Sequence, residues 1–191
     1  MHHGNYINQM EDSNTIEGDS KLTNTYPGDI PYNVFTIGKK AFHNFKNTDK
    51  KVKQILERCG YECIEVNQGY TKCSVAIIDE RSCITSDINI AKALIDADME
   101  VLFVVEQDIK LLKRTNSKVE KQNSMFFEYS DMQGFIGGAM ATFGDTVVIF
   151  GDIENLFNKE KIIKFIEDRG KKIKYFEKQE IIDYGGVITL E

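Results

Sequence analysis

The sequence predicts a single α/β domain in which a unit of β-hairpin, helix and strand is used three times. The first observation behind this is the alternation of short apolar, β-branched runs with amphipathic helical stretches over residues 34–66, 75–105 and 126–176. Strands that flank a crossover helix pair in parallel while hairpins pair antiparallel, so each unit implies a small mixed sheet. The second observation is the weak textual likeness of the units, which makes the repeat architectural. The third is length: 191 residues support one substantial core, whereas two domains would each be small.

The elements follow in order. Residues 1–31 are polar, rich in Asn, Asp, Ser, Thr and Gly, and end in Tyr26-Pro-Gly-Asp-Ile-Pro31. Such a segment buries little, and it reads as a loosely ordered arm closing in a turn, with His2 and His3 solvated. Ordered structure begins in the domain at 32–191. Val34, Phe35 and Ile37 supply a strand, Gly38-Lys39-Lys40 a turn, and Ala41-Phe42-His43 the returning strand. Thr48 or Asp49 caps a helix over 49–59, in which Val52, Ile55 and Leu56 share one face, and Gly60 ends it. Residues 61–66 alternate as a strand, 68–73 form a turn, and 74–78 a second apolar strand. Asp79-Glu-Arg-Ser82 turns the chain into a strand at 83–85, and Ser86-Asp87 caps a helix over 87–97 with Ile90, Ala91, Leu94 and Ala97 on its packed side. Residues 99–105 are the most strand-like run, and 113–122, charged and without apolar periodicity, read as a surface loop.

The most distinctive stretch runs from Asp131 to Asp152. Gly134, Gly137, Gly138, Gly144 and Gly151 stand there among aromatic and β-branched residues. Two glycines in a helix interior would each cost about 1 kcal/mol relative to alanine, so Gly137-Gly138 predicts a turn or bulge. Thr146 to Phe150 is a buried strand broken by Gly151, with Asp152 at its mouth. A helix over 159–169 turns Ile162, Ile163 and Ile166 inward, residues 172–176 are a strand, and the closing segment carries Asp183-Tyr-Gly-Gly186. Two readings of these corners stand side by side. Glycine pairs let a ligand approach the backbone and the aspartates face it; or Asp152 caps the following helix and Asp131 and Asp183 stabilise turns.

Composition narrows the function classes. Apolar residues make up 41% and charged residues 28%, as in ordinary globular proteins. No run approaches the ~18 apolar residues of a membrane helix, and no leader is apparent, so a cytoplasmic protein without a membrane partner is expected. A net charge of −6 with dispersed lysines argues against nucleic acid. Cys59, Cys63, Cys73 and Cys83 lack the paired spacing of a zinc site; neither metal nor cofactor is expected, and the thiols are expected to be reduced.

The motifs Gln68-Gly-Tyr-Thr-Lys-Cys-Ser74, Gly134-Phe-Ile-Gly-Gly-Ala139, Phe150-Gly-Asp152 and Asp183-Tyr-Gly-Gly186 resemble an uncharacterised bacterial family placed in the guanidino-group-modifying enzyme fold, the pentein propeller. The resemblance covers residues 32–191. It implies ββαβ modules about a pseudo-rotation axis and a further N-terminal module that residues 1–31 are too short and polar to supply, so either an incomplete propeller or a shortened chain is expected. An incomplete propeller leaves an exposed edge, so a homo-oligomer is expected.

Deiminases of that fold use a cysteine thiolate against the guanidinium carbon, a histidine as proton shuttle, and carboxylates that grip the guanidinium nitrogens. Their thiol follows a Gly-Gly segment near the C-terminus; here Gly185-Gly186 is followed by none. What the resemblance leaves for catalysis is Cys73, beside Lys72, with His43 as base. For ligand binding it offers Asp131, Gly137, Gly138, Asp152, Asp183 and Gly185 about a central channel, where clustered carboxylates suit a small cationic, guanidino or amino, molecule. A binding protein without deiminase chemistry and a cysteine-dependent amidinohydrolase are the two expectations, and loss of the C-terminal thiol favours the first.

Overall fold

A computed structural model of the chain describes residues 16–111 and 133–187. The unit foreseen in the sequence recurs three times within them. In the first, β1 (Phe35–Ile37) and β2 (Lys40–His43) form an antiparallel hairpin, helix α1 (Lys50–Arg58) crosses over, and β3 (Glu62–Glu65) pairs with β2 in parallel. After a single helical turn, α2 (Thr71–Ser74), the pattern repeats with β4 (Val75–Ile77), β5 (Ser82–Thr85), α3 (Ile88–Asp96) and β6 (Glu100–Phe103). A short β7 (Lys110–Leu111) follows. The last unit holds β8 (Met140–Phe143), β9 (Thr146–Ile149), α4 (Lys159–Glu167) and β10 (Lys172–Lys174). In each sheet of three strands the second hairpin strand is central, and β11 (Ile182–Asp183) pairs in parallel with β7. The result is a set of small separate sheets rather than one continuous doubly wound sheet.

The second sheet is packed on both faces. Along β4 and β5 successive residues belong to different cores: Val75 and Cys83 join Phe35, Phe42, Ile90 and Leu94, while Ala76 and Ile84 join Ile149, Ile162 and Ile166. That division follows from the period-two alternation of strand side chains, and it is why β5 is buried throughout. Phe35 and Phe42 stack across the first hairpin with centroids 5.0 Å apart.

The starts of α1 and α3 match the sequence signals. The Asp87 carboxylate accepts from the amides of Asn89 and Ile90, at 2.8 and 3.0 Å. Of the two residues foreseen as first cap, Asp49 takes the role, accepting from Val52 N at 3.0 Å. Its other oxygen accepts from the amides of Asp19 and Ser20, at 2.9 and 2.6 Å, which ties residues 16–31 to the first unit. Ile30 is fully buried in the same segment, and the Tyr70 hydroxyl donates to Asp29 Oδ2 at 2.5 Å.

Burial opposes ionisation of Asp49, but the hydrogen bonds from Val52, Ser20 and Asp19 outweigh it and hold the carboxyl well below the usual carboxylate range. A depressed folded pKa adds stability above the unfolded value of about 4, which is lost as pH falls through it. Asp49→Ala is therefore expected to lower stability by about 2 kcal/mol in urea unfolding at pH 7, with the difference from wild type shrinking below pH 4.

Three expectations are corrected. Residues 68–73 hold no simple turn: Thr71–Ser74 is helical, because Asn33 reaches across the fold, its Oδ1 accepting from Lys72 N at 2.7 Å while Thr71 Oγ1 donates to the Asn33 carbonyl. Ser74 thus ends α2 instead of starting a strand. The residues between Asp152 and α4 are a separate 3-10 turn, Ile153–Asn155, because Asn158 adopts a left-handed φ of 60° that interrupts any longer helix. Of α1, no residue is fully buried, although Val52, Ile55 and Leu56 do share the half-buried side. Asp131, the charged stretch 113–122 and the start of the third unit at Phe126 lie outside the described residues.

Candidate ligand-binding site

Strand β9 runs out into Phe150, Gly151 and Asp152 against the segment that leads to β11. Gly151 has φ of 151°, and a Cβ there would stand 2.5 Å from Glu180 O and from Ile181 Cα, so glycine is required for the two segments to touch. Asp152 then bonds across the junction. Its Oδ1 accepts from Glu154 N at 3.0 Å, its Oδ2 from Lys178 N at 2.6 Å, and its own amide donates to Gln179 O at 2.9 Å. The Lys178 and Glu154 amides hold its carboxyl below the usual range. This is the capping role, extended to pin residues 178–179.

Asp183 works from the other side of the same segment. It is 5% exposed, its Oδ2 accepts from Phe135 N at 2.8 Å and its Oδ1 from Gly185 N at 2.7 Å. A Cβ on Gly138 would collide with its Oδ1, and one on Gly134 would stand 2.6 Å from its Cβ. A Cβ on Gly137 would run into the carbonyls of Val75 and Cys73, the latter at 2.6 Å. The buried 3-10 turn Ile136–Gly138 therefore uses its glycines to admit the protein's own backbone and the Asp183 carboxylate. Tyr184 N donates to Gly138 O at 2.9 Å, and Gly185, with φ of 85°, turns the chain beyond it.

With Asp183 inward, alternation places its neighbours outward. Ile181 and Asp183 are buried, whereas Glu180 and Tyr184 are exposed and Ile182 is half-buried. The outward side chains, with Phe150, Phe176, Gln179 and Val187, line a pocket of about 430 Å³. Phe150 and Tyr184 meet edge to face, centroids 5.4 Å apart and planes at 74°. Among the described residues, Glu180 brings the only formal charge to the lining. Asp152, Asp183, Gly138 and Gly185 thus stand behind the wall, fixing the backbone that presents this pocket. Of the pocket residues, the sequence motifs contain Phe150 and Tyr184 but not Phe176, Gln179, Glu180, Ile182 or Val187, although the exposed, buried, half-buried, buried, exposed order of 180–184 follows from a single outward face carrying Glu180, Ile182 and Tyr184.

The two residues proposed for catalysis are placed differently. Cys73 Sγ accepts from Asn33 Nδ2 at 3.2 Å, and burial pushes its thiol up, helped by the Asp183 charge and opposed by Asn33 and Lys72. His43 is fully buried on β2, with Nδ1 2.6 Å from Thr48 Oγ1 and Nε2 3.0 Å from Gly69 O. A carbonyl only accepts, so Nε2 carries the proton and Nδ1 accepts from the Thr48 hydroxyl, leaving neither nitrogen free. Burial lowers its pKa against the Gly69 bond and the Glu65 charge, which favour the proton. Protons therefore bind the unfolded chain more readily here. Stability is expected to be full above about pH 6.5 and to fall as pH drops below it, and a His43→Gln variant should flatten that part of a thermal-unfolding pH profile. Asp131 lies outside the described residues.

Comparison with known proteins adds the following. A profile for the family of unknown function DUF6873 matches residues 2–117 and 119–188. Nothing matches among the curated proteins. Among solved structures the chain is similar to C. jejuni agmatine deiminase, at 10% identity and a TM-score of 0.46 over 75% of this chain and 48% of that one. The chain spans about half the length of that enzyme.

Proposed function

We propose that this chain, which belongs to the family of unknown function DUF6873, is a pentein-like protein of ββαβ modules that binds a small organic cation and does not run deiminase chemistry. The observation that carries the proposal is the pocket at the β9–β11 junction, lined by three aromatic rings and one carboxylate and, among the described residues, by no basic side chain. Ring faces carry negative potential and attract cations, and a carboxylate supplies the counter-charge. Lys110 feels the Glu180 charge from outside the lining, and its ammonium is bonded to Asp108 at 3.0 Å. A volume of about 430 Å³ suits a small metabolite.

The same geometry speaks against a thiolate mechanism. A nucleophilic cysteine has a depressed pKa and an adjacent base; the Cys73 thiol is shifted upward, and both His43 nitrogens are engaged with Thr48 and Gly69. Asp183 spends an acceptor on each of two backbone amides. Cys73 is therefore expected to alkylate no faster than an ordinary free thiol at pH 7, as iodoacetamide kinetics would read.

Calorimetric titration with agmatine, arginine, guanidinium and simple ammonium salts tests the binding reading. Wild type should bind at least one of these cations, and Glu180→Gln should bind it several-fold more weakly, with no ammonia or citrulline-type product formed. Failure of all of them to bind, or turnover abolished by Cys73→Ser, would overturn it.

A further inference from the structure

We propose that the pocket at the β9–β11 junction is shaped for a compact alkylated ammonium group in preference to a flat guanidinium. This rests on the reading of the pocket as a cation site and narrows its ligand. A guanidinium is planar and is gripped best by parallel ring faces above and below it, or by a bidentate carboxylate in its own plane. The Phe150 and Tyr184 rings stand at 74° with centroids 5.4 Å apart, so they make adjoining walls and no pair of parallel plates. Phe176 adds a third aromatic surface and is held by its amide, which donates to Gly151 O at 3.0 Å. Rings that line one space at an angle to each other, rather than as parallel plates, suit a tetrahedral, roughly spherical cation, whose charge is spread over its alkyl groups and which needs no hydrogen-bond partner.

The hydrogen-bonding inventory agrees. Planar recognition calls for several fixed acceptors. The Gln179 carbonyl already accepts from Asp152 N at 2.9 Å and Asn155 Nδ2 at 3.1 Å, the Phe150 carbonyl accepts once, from Ile182 N at 2.9 Å, and the Gln179 amide and Tyr184 hydroxyl are uncharged. That leaves the Glu180 carboxylate, on an exposed side chain, as the charged acceptor of the lining. One flexible carboxylate balances a charge but does not fix an orientation. The pocket walls are also anchored from behind: Asp152 holds 178–179, and Asp183 with Gly138 holds Tyr184. The backbone that carries the lining is therefore held before a ligand arrives, which lowers the ordering cost of a weakly held cation.

The experiment is a set of titrations of the full chain, followed by calorimetry, with tetramethylammonium, choline, guanidinium, and the uncharged carbon analogue of choline in which a tert-butyl group replaces trimethylammonium. Tetramethylammonium and choline should bind at least five-fold more tightly than guanidinium, and choline at least five-fold more tightly than its uncharged analogue. Tyr184→Leu should weaken choline about five-fold, in keeping with about 1 kcal/mol for one ring at a half-exposed site. Tyr184→Phe, which keeps the ring face, should bind like wild type. Tighter binding of guanidinium than of the ammonium compounds would overturn the preference while leaving the cation site standing. Equal binding of choline and its uncharged analogue, or binding of none of the four, would overturn both. Equal binding by wild type and Tyr184→Leu would place the ligand elsewhere and overturn the assignment to this pocket.

Discussion

Gly137→Ala is expected to destabilise the protein by about 3 kcal/mol, the upper end of the range for overpacked interiors. Its added Cβ would meet the carbonyls of Val75 and Cys73, the second at 2.6 Å. Both belong to backbone already fixed, one at the start of β4 and one inside α2. A flexible side chain could swing aside; two carbonyls in regular structure cannot. Gly144 provides the contrast. It is exposed in the hairpin of the third unit, a Cβ there would meet nothing within 4 Å, and its φ is 58°. Gly144→Ala should therefore cost only the left-handed backbone term of about 1 kcal/mol. Chemical denaturation of the two variants side by side checks the difference, and equal losses would mean that the 3-10 turn relaxes freely.

Asp183→Asn should lower stability by about 2 to 3 kcal/mol while leaving the side-chain shape almost unchanged. Each carboxylate oxygen accepts from one backbone amide, Phe135 N at 2.8 Å and Gly185 N at 2.7 Å. An asparagine has one oxygen, so its amide group must face one of those N–H donors, and a buried donor left unsatisfied costs about 1 to 3 kcal/mol. The change also reaches the pocket, because Gly185 follows Tyr184 and Phe135 N leads into the turn that accepts from Tyr184 N. Cation binding should therefore weaken in Asp183→Asn although the residue does not line the pocket. Unaltered stability together with unaltered binding would contradict the role assigned to this carboxylate.

Much of the fold was legible because it is local. Hairpins at 35–43 and 75–85 follow from short β-branched runs broken by turn residues, and the Asp49 and Asp87 caps from a side-chain oxygen set before an apolar period. The α2 turn was not legible, because its bonds come from Asn33, 38 to 40 residues away. The glycine-rich centre was read as an opening toward a ligand, since glycine signals close approach without saying of what. In the fold the approaching groups are Val75, Cys73 and Asp183. The pocket was hidden for a related reason: Phe150 stands far along the chain from Phe176, Glu180 and Tyr184, and exposed aromatics have no period of their own. Asp152 and Asp183 both adjoin this corner of the fold, one layer behind the surface that faces solvent.

Cation binding at the β9–β11 junction is tested most directly by NMR of the labelled protein during addition of tetramethylammonium chloride, with sodium chloride at equal ionic strength as the reference. Saturable shifts are expected in the ring signals of Phe150, Phe176 and Tyr184 and in the carboxyl signal of Glu180, with His43 and Cys73 unmoved. Shifts centred on His43 and Cys73, or no saturable shift at the aromatic residues, would contradict a cation site in this pocket.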